Sequence, residues 1–329
     1  MTIYRNILRQ SLKISWHNKY LWFFGLFAAL LGGGGEMDLL FRGFNADPQD
    51  GILAGINSFT ETGIFNFQTF LNIKNLMLNQ PYAFGILIFI FIFILIILVF
   101  LVWLATVSQI AIVNNSANII AGSEVDFKSG LNEGINKFWP VFSLNIVSRA
   151  VVYIVIILIS SSLLLAPLGR LYANIFYFAS FVIFIPATLI FILIIKYAIS
   201  YIVIKSSGLK NAVRASWTLF KLNWVVSIEI AFILFFINIL FGLAMVMVLG
   251  ILAVPLLLLG YLFQNFLPVI GFWGIAGFGL LIFSIFIVVA GSMMSTFQIS
   301  SWTGIFVELI GRGAQSKLMR VVAGWKEKK

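Results

Sequence analysis

The chain contains no cysteine, only one histidine (His17), and few charges: 10% of its 329 residues. Without cysteine there are no disulfides, no thiolate metal sites and no thiol nucleophiles. A single histidine leaves no HExxH pair and no imidazole-rich zinc shell. Acidic residues number 11 against 21 lysines and arginines, and no aspartate falls inside a long apolar run, so the paired acids of intramembrane aspartyl chemistry are missing. Ser160, Ser161 and Ser162 have no base in view. The "GGGGE" at 32–36 lacks the "GK[ST]" ending that cradles phosphate. The expectation is a protein without enzymatic activity, cofactor or metal.

What the chain does have is apolar length. Hydrophobic residues make up 61%, against about 45–50% in an ordinary soluble domain, and a globular interior cannot hide that much. About 20 consecutive apolar residues span the hydrocarbon of a bilayer as one helix. Runs of that kind predict six crossings: 20–33, ending at the four glycines; 83–113; 141–168; 175–204; 225–249; and 270–299. The apolar run 225–263 is 39 residues, about 58 Å as a straight helix, which overshoots a layer of about 30 Å. Gly250 and Pro255 mark the expected break, leaving 250–268 kinked, interfacial or re-entrant. The fold class expected is therefore all-α: a single integral membrane helical bundle over 1–329, with about six transmembrane helices. A tail at 1–19, an extracytoplasmic loop at 36–82 and a basic tail at 300–329 complete it.

Charge sets the orientation. Eighteen of the 21 basic residues fall in four segments, 5–19, 128–149, 196–221 and 312–329; Arg42, Lys74 and Arg170 fall on the opposite side. The 36–82 segment carries Glu36, Asp38, Asp47, Asp50 and Glu61. Lysine and arginine accumulate on the cytoplasmic side, so both termini are expected there, in a multi-pass protein of the cytoplasmic membrane. The basic leader and short apolar core at the N-terminus read as a retained anchor rather than a cleavable signal, because no clean small-x-small site precedes Glu36. A net charge of +10 then points to anionic lipid headgroups and not to nucleic acid, with a protein partner or a second copy as a further contact.

The basic segments are patterned. Read as a helix, 209–224 puts Leu209, Ala212, Val213, Trp217, Phe220 and Trp224 on one stripe and Lys210, Asn211, Arg214 and Lys221 opposite. Residues 127–139 set Phe127, Leu131, Ile135 and Phe138 against Lys128, Asn132, Asn136 and Lys137. The tail sets Tyr4, Leu8, Leu12 and Trp16 against Arg5, Arg9 and Lys13, with His17 beside Trp16 as a further anchor. Such helices suit the headgroup boundary, which makes Lys128, Lys137, Lys210, Arg214, Trp217, Lys221 and Trp224 the candidate lipid-interface residues. Lys128 and Lys210 are 82 apart, as are Phe138 and Phe220, while Ser216 and Ser301 are 85 apart. "ASWT" at 215–218 returns as "SSWT" at 300–303. These spacings suggest a repeated unit of span, amphipathic helix and span, complete twice and split between the two ends in its third copy. Interface physics alone also selects Trp, Lys and small residues at each membrane crossing.

"GLKNAVRASWTLFKLNWVVSIEIAF" and "ANIIAGSEVDFKSGLNEGINKFWPVF" resemble the recurrent segments of bacterial multi-pass proteins related to the membrane domain found beside some glycerophosphodiester phosphodiesterases. The resemblance covers roughly 110–315 and implies a fold and a location. The phosphodiesterase domain itself has no counterpart in the chain, so no catalytic residue carries over.

Ionisable groups inside spans are costly and are functional candidates by default. Arg149, Lys196 and Glu229 are each expected about 8–12 Å below the cytoplasmic boundary, as an intramembrane polar cluster. Two readings stay open for them: a helix-locking ion pair with a snorkelling Lys196, or a polar cavity serving a transporter or lipid-handling protein. The first goes with a non-enzymatic scaffold or regulator. Finally, Gly271, Gly274 and Gly277 in "GFWGIAGFG" are expected to let another helix approach closely.

Overall fold

A computed structural model of the chain describes residues 3–31, 73–74, 76–161, 170–264 and 270–312. Most of the expected 36–82 loop, the four-glycine stop and the tail beyond 312 lie outside the described residues. Within them the backbone is helical and forms no strand. The main helices are α1 (Ile3–His17), α2 (Tyr20–Leu30), α3 (Pro81–Ile120), α4 (Phe127–Asn136), α5 (Phe138–Ser161), α6 (Arg170–Lys205), α7 (Leu209–Leu222), α8 (Trp224–Gln264) and α9 (Ile270–Arg312).

Five of these, α3, α5, α6, α8 and α9, contain stretches long and apolar enough to cross a membrane. The protein is an all-α membrane bundle, with a difference at its first expected span. α2 has 11 residues and rises only about 16 Å, half of the hydrocarbon thickness. It buries Leu21, Phe24, Gly25 and Ala28 and lies along α9.

The expected break in the fifth span is also absent. α8 runs as one 41-residue helix through Gly250 and Pro255. Pro255 removes one backbone hydrogen bond, which bends a helix without ending it, so of the expected forms a kinked continuation is the one compatible with a helix that reaches Gln264. Likewise α9 passes straight through "SSWT" at 300–303 without starting a separate interfacial helix.

The long helices share a division of labour that hydropathy alone does not reveal. In α3, Ile86–Phe100 are exposed, whereas Ala105–Val107, Ile110–Val113 and Ala117 are buried together with Thr106, Ser108, Asn115 and Ser116. In α9 the exposed run ends at Val289, and Ser292, Ser295, Thr296, Ser300, Ser301 and Thr303 are buried beyond it. In α8 the order reverses: Ser227, Ile230 and Leu234 are buried and the side chains from Phe236 onward are largely exposed. Apolar outer surface suits lipid; small hydroxyl side chains suit close helix packing.

The described chain groups into two compact units. The first draws on Met1–Gly33, Ala105–Phe138 and Tyr197–Lys329. Its core joins Ile14, Leu21, Phe24 and Ala28 to Ala111 and Ile112, and Tyr197 to Trp302 and Phe306 through ring contacts. Small residues set its closest approaches: Gly25 lies against the Ser292 carbonyl, and Gly134 against Val107. The second unit draws on Gly34–Leu104 and Trp139–Lys196, where Val155 and Ile159 of α5 meet Ile185 of α6.

The glycine stripe of "GFWGIAGFG" does not behave as expected. Gly274 and Gly277 face open space, with nothing within 4 Å of an added Cβ, and the side chain of position 271 is outside the described set. α8 and α9 instead approach at Gly260, against Phe272, and at Gly279, against Leu256. Among the described residues no neighbouring helix seats on Gly274 or Gly277.

Candidate functional site

α3 ends in a turn that needs glycine. Gly122 has φ +84; its N–H reaches the Ile119 carbonyl at 3.1 Å and the Ser123 N–H reaches Asn118 at 2.9 Å, the Schellman pattern that satisfies orphan carbonyls. Four residues later Asp126 caps α4 by accepting from the Ser129 N–H at 2.8 Å. The chain therefore reverses sharply, and α4 returns along α3. A Cβ at Gly130 would meet Asn115, and one at Gly134 would meet Val107.

α7 and α1 repeat this seating. α7 buries Ala212, Ser216, Leu219 and Phe220. α1 lies along α9, buries Ser11 and Ser15, and donates from Ser15 Oγ to the Met293 carbonyl at 3.0 Å. In each helix two small buried residues stand four apart: Ser11 and Ser15, Gly130 and Gly134, Ala212 and Ser216. The residue after the second is large, apolar and exposed: Trp16 (56%), Ile135 (47%) and Trp217 (44%). The pattern is small, apolar, polar, any, small, large apolar. Ala212 falls on the expected apolar stripe, whereas the pairing of small residues four apart, the side that grips the protein, has no signal in the aromatic and cationic stripes.

Each expected interface residue now has a place. Lys128, Lys210, Arg214 and Lys221 are exposed, as are Trp217 and Trp224 (53%). Lys221 Nζ sits 4.9 Å from the Trp217 ring centroid, a cation–π distance. Lys137 is engaged within the protein. It pairs with Glu133 and donates to the Val203 carbonyl at 2.7 Å and to Ser206 Oγ at 3.0 Å, so its charge sits at the C-terminal turn of α6, where a cation is favoured.

Of the expected polar cluster, Glu229 belongs to the first unit and Arg149 and Lys196 to the second. Arg149 is exposed on α5 and Lys196 half-buried on α6. Glu229 accepts a hydrogen bond from the hydroxyl of Tyr4, a residue 6% exposed. The bond ties the start of α1 to the second turn of α8, on the buried side of the point where α8 becomes exposed. Removing it with Tyr4→Phe is expected to lower stability by about 0.5–1.5 kcal/mol, as for an intramolecular hydrogen bond. Thermal unfolding in detergent, with amide exchange read over 3–17, checks this; unchanged exchange would mean the bond does not hold α1.

A denser polar group lies where α2, α3 and the turn before α4 meet. Asn115 Nδ2 donates to the Tyr20 hydroxyl at 3.4 Å and to the Asp126 carbonyl at 3.2 Å, while Tyr20 donates to the Val125 carbonyl at 3.5 Å. Ser116 and Ser300 pair at 2.7 Å and join α3 to α9. Among the described residues no three His, Cys, Asp or Glu side chains gather. The chemistry on view is positioning and cation display. Comparison with family models, with curated proteins and with solved structures finds no match for the chain.

Proposed function

We propose that the protein is a membrane-embedded scaffold or regulator without enzymatic activity, resident in the cytoplasmic membrane with both termini on the cytoplasmic side. Its basic helices α1, α4 and α7 contact anionic lipid headgroups or a partner protein. The observation that carries this reading is the division of faces on α7. Ala212 and Ser216 are buried while Lys210, Arg214, Trp217 and Lys221 are all exposed on the same 14-residue helix. A helix gripped on its small side presents its cations and its indole without rearrangement, so headgroup contact costs little ordering entropy. Trp and Lys at one level match the composition of a membrane–water boundary, and the resemblance to phosphodiesterase-associated membrane segments agrees with that location.

The test is lipid selectivity. In reconstituted protein, Lys210→Glu/Arg214→Glu/Lys221→Glu is expected to lower the preference for spin-labelled phosphatidylglycerol over phosphatidylcholine. Each cation near an anionic surface contributes about 1 kcal/mol, so a selectivity loss on the order of a hundredfold at that surface follows. A preference unaltered by the triple substitution would remove anionic lipid from the role.

A further inference from the structure

We infer that the trough between α1 and the α8–α9 pair is a binding site for one anionic phospholipid, with its acyl chain along the trough and its headgroup at Arg5 and Arg9. This rests on the proposed contact of the basic helices with anionic lipid and places one such contact at Arg5 and Arg9 of α1. The trough is a cavity of about 600 Å³, within the ~300–1,000 Å³ usual for sites that enclose a small ligand. All three of its walls belong to the first compact unit.

The walls are in helical register. Leu8 and Leu12 come from α1, Ile237 and Phe241 from α8, and Met293 and Phe297 from α9. Each pair is one turn apart, so three rows of apolar side chains run side by side. Arg5 and Arg9 repeat the same spacing at the rim, and α1 carries no acid to neutralise them. Arginine presents a fork that fits phosphate oxygens. Apolar walls and a cationic rim together describe an amphiphile with an anionic head.

The walls also decide against a peptide. They offer no hydrogen-bonding side chain apart from the two arginines, and a buried peptide would leave amides unsatisfied. An acyl chain has none to satisfy, and unbranched Met293 and Met294 adapt to its shape. Access is lateral: Phe236 and Leu240 beside the α8 wall, and Val288 and Val289 just before the α9 wall, are exposed apolar residues. A lipid therefore slides in without leaving a hydrocarbon surface. Ile237 lies 13 residues past Trp224, about 20 Å along α8, deep enough for a tail below a head at α1.

The experiment uses the full chain in nanodiscs with phosphatidylglycerol or phosphatidylcholine carrying a photoactivatable acyl chain, and maps adducts by mass spectrometry. Adducts are expected to concentrate at 237–241 and 293–297, and Met293→Trp, which fills the trough, is expected to cut them at least tenfold. Arg5→Ala/Arg9→Ala is expected to leave phosphatidylcholine adducts in place and to lower the phosphatidylglycerol preference there about thirtyfold, five- to sixfold per arginine. Adducts spread evenly over the exposed faces, or a preference untouched by the arginine pair, would overturn the site. If Met293→Trp shifts the thermal transition, the arginine pair, read with the same two probes, decides alone. Trough adducts absent while Lys210, Arg214 and Lys221 still govern lipid selectivity would sink this inference and leave the proposed function standing; the reverse pattern would do the opposite.

Discussion

Gly25→Val is expected to cost the protein about 3 kcal/mol or more and to release α2 from α9. Gly25 is buried in α2, and a Cβ built there would fall on the carbonyl oxygen of Ser292 and the hydroxyl of Thr296. Neither obstacle yields easily. The carbonyl belongs to helix backbone, and the single Thr296 Oγ1 proton is shared between the carbonyls of Leu21 at 3.1 Å and Ser292 at 2.9 Å. The helices must separate, forfeiting the packing of Leu21, Phe24 and Ala28, all at most 3% exposed, for an overpacking and strain cost at the upper end of the usual range. Tryptophan-monitored thermal unfolding in detergent measures the loss, and amide exchange over 20–31 localises it. Gly274→Val is the matched control, because that glycine meets nothing within 4 Å; its transition should stay within error. Equal stabilities for the two variants would show that the α2–α9 approach is not set by Gly25.

Asn115→Leu is the second large effect. Asn115 is completely buried, accepts from Asn114 at 3.4 Å, and donates to Tyr20 and to the backbone of Asp126. Leucine leaves the Asp126 carbonyl and the Tyr20 hydroxyl without this donor and forces a branched end against Gly130, whose Cβ position lies 2.7 Å from the asparagine nitrogen. The Asp126 carbonyl keeps the Gly130 N–H at 3.4 Å and the Tyr20 hydroxyl keeps the Val125 carbonyl, so the change removes two hydrogen bonds at about 0.5–1.5 kcal/mol each, and a loss of about 1–3 kcal/mol is expected. Tyr20→Phe should cost less, since it removes only long contacts. Double-mutant analysis of the two positions should give a coupling energy above about 0.5 kcal/mol; additivity would mean that the two side chains act independently.

The class of this protein could be read from composition, because only lipid accommodates so much apolar surface. The boundaries could not. The run from 83 to 113 looks uniform in hydropathy, yet Phe100 is exposed and Ala105 buried five residues later, since hydropathy does not distinguish a lipid neighbour from a helix neighbour. Gly250 and Pro255 suggest an end or a bend from local propensity alone, which cannot tell the two apart; α8 continues through both. "ASWT" and "SSWT" looked like the same element, but Trp217 is 44% exposed and Trp302 only 8%. What separates them is the neighbour each helix packs against, which is tertiary information. For the basic helices, Lys210 and Arg214 could be found from charge, and Ala212 from the apolar stripe, but Ser216 is legible only as part of the repeated "SWT" and not as the buried partner of Ala212. A search for small residues at i and i+4 beneath each cationic stripe would have found them.

The seating of α1 against α9 carries a consequence for biosynthesis. The partner of residues 3–17 ends at Arg312, so α1 emerges from the ribosome nearly 300 residues ahead of the end of its docking helix. At ~5–20 residues per second that interval is roughly a quarter of a minute to a minute. During it Ser11 and Ser15 lack α9 to grip, and the bilayer surface or a chaperone must hold the greasy side of α1 until translation reaches α9.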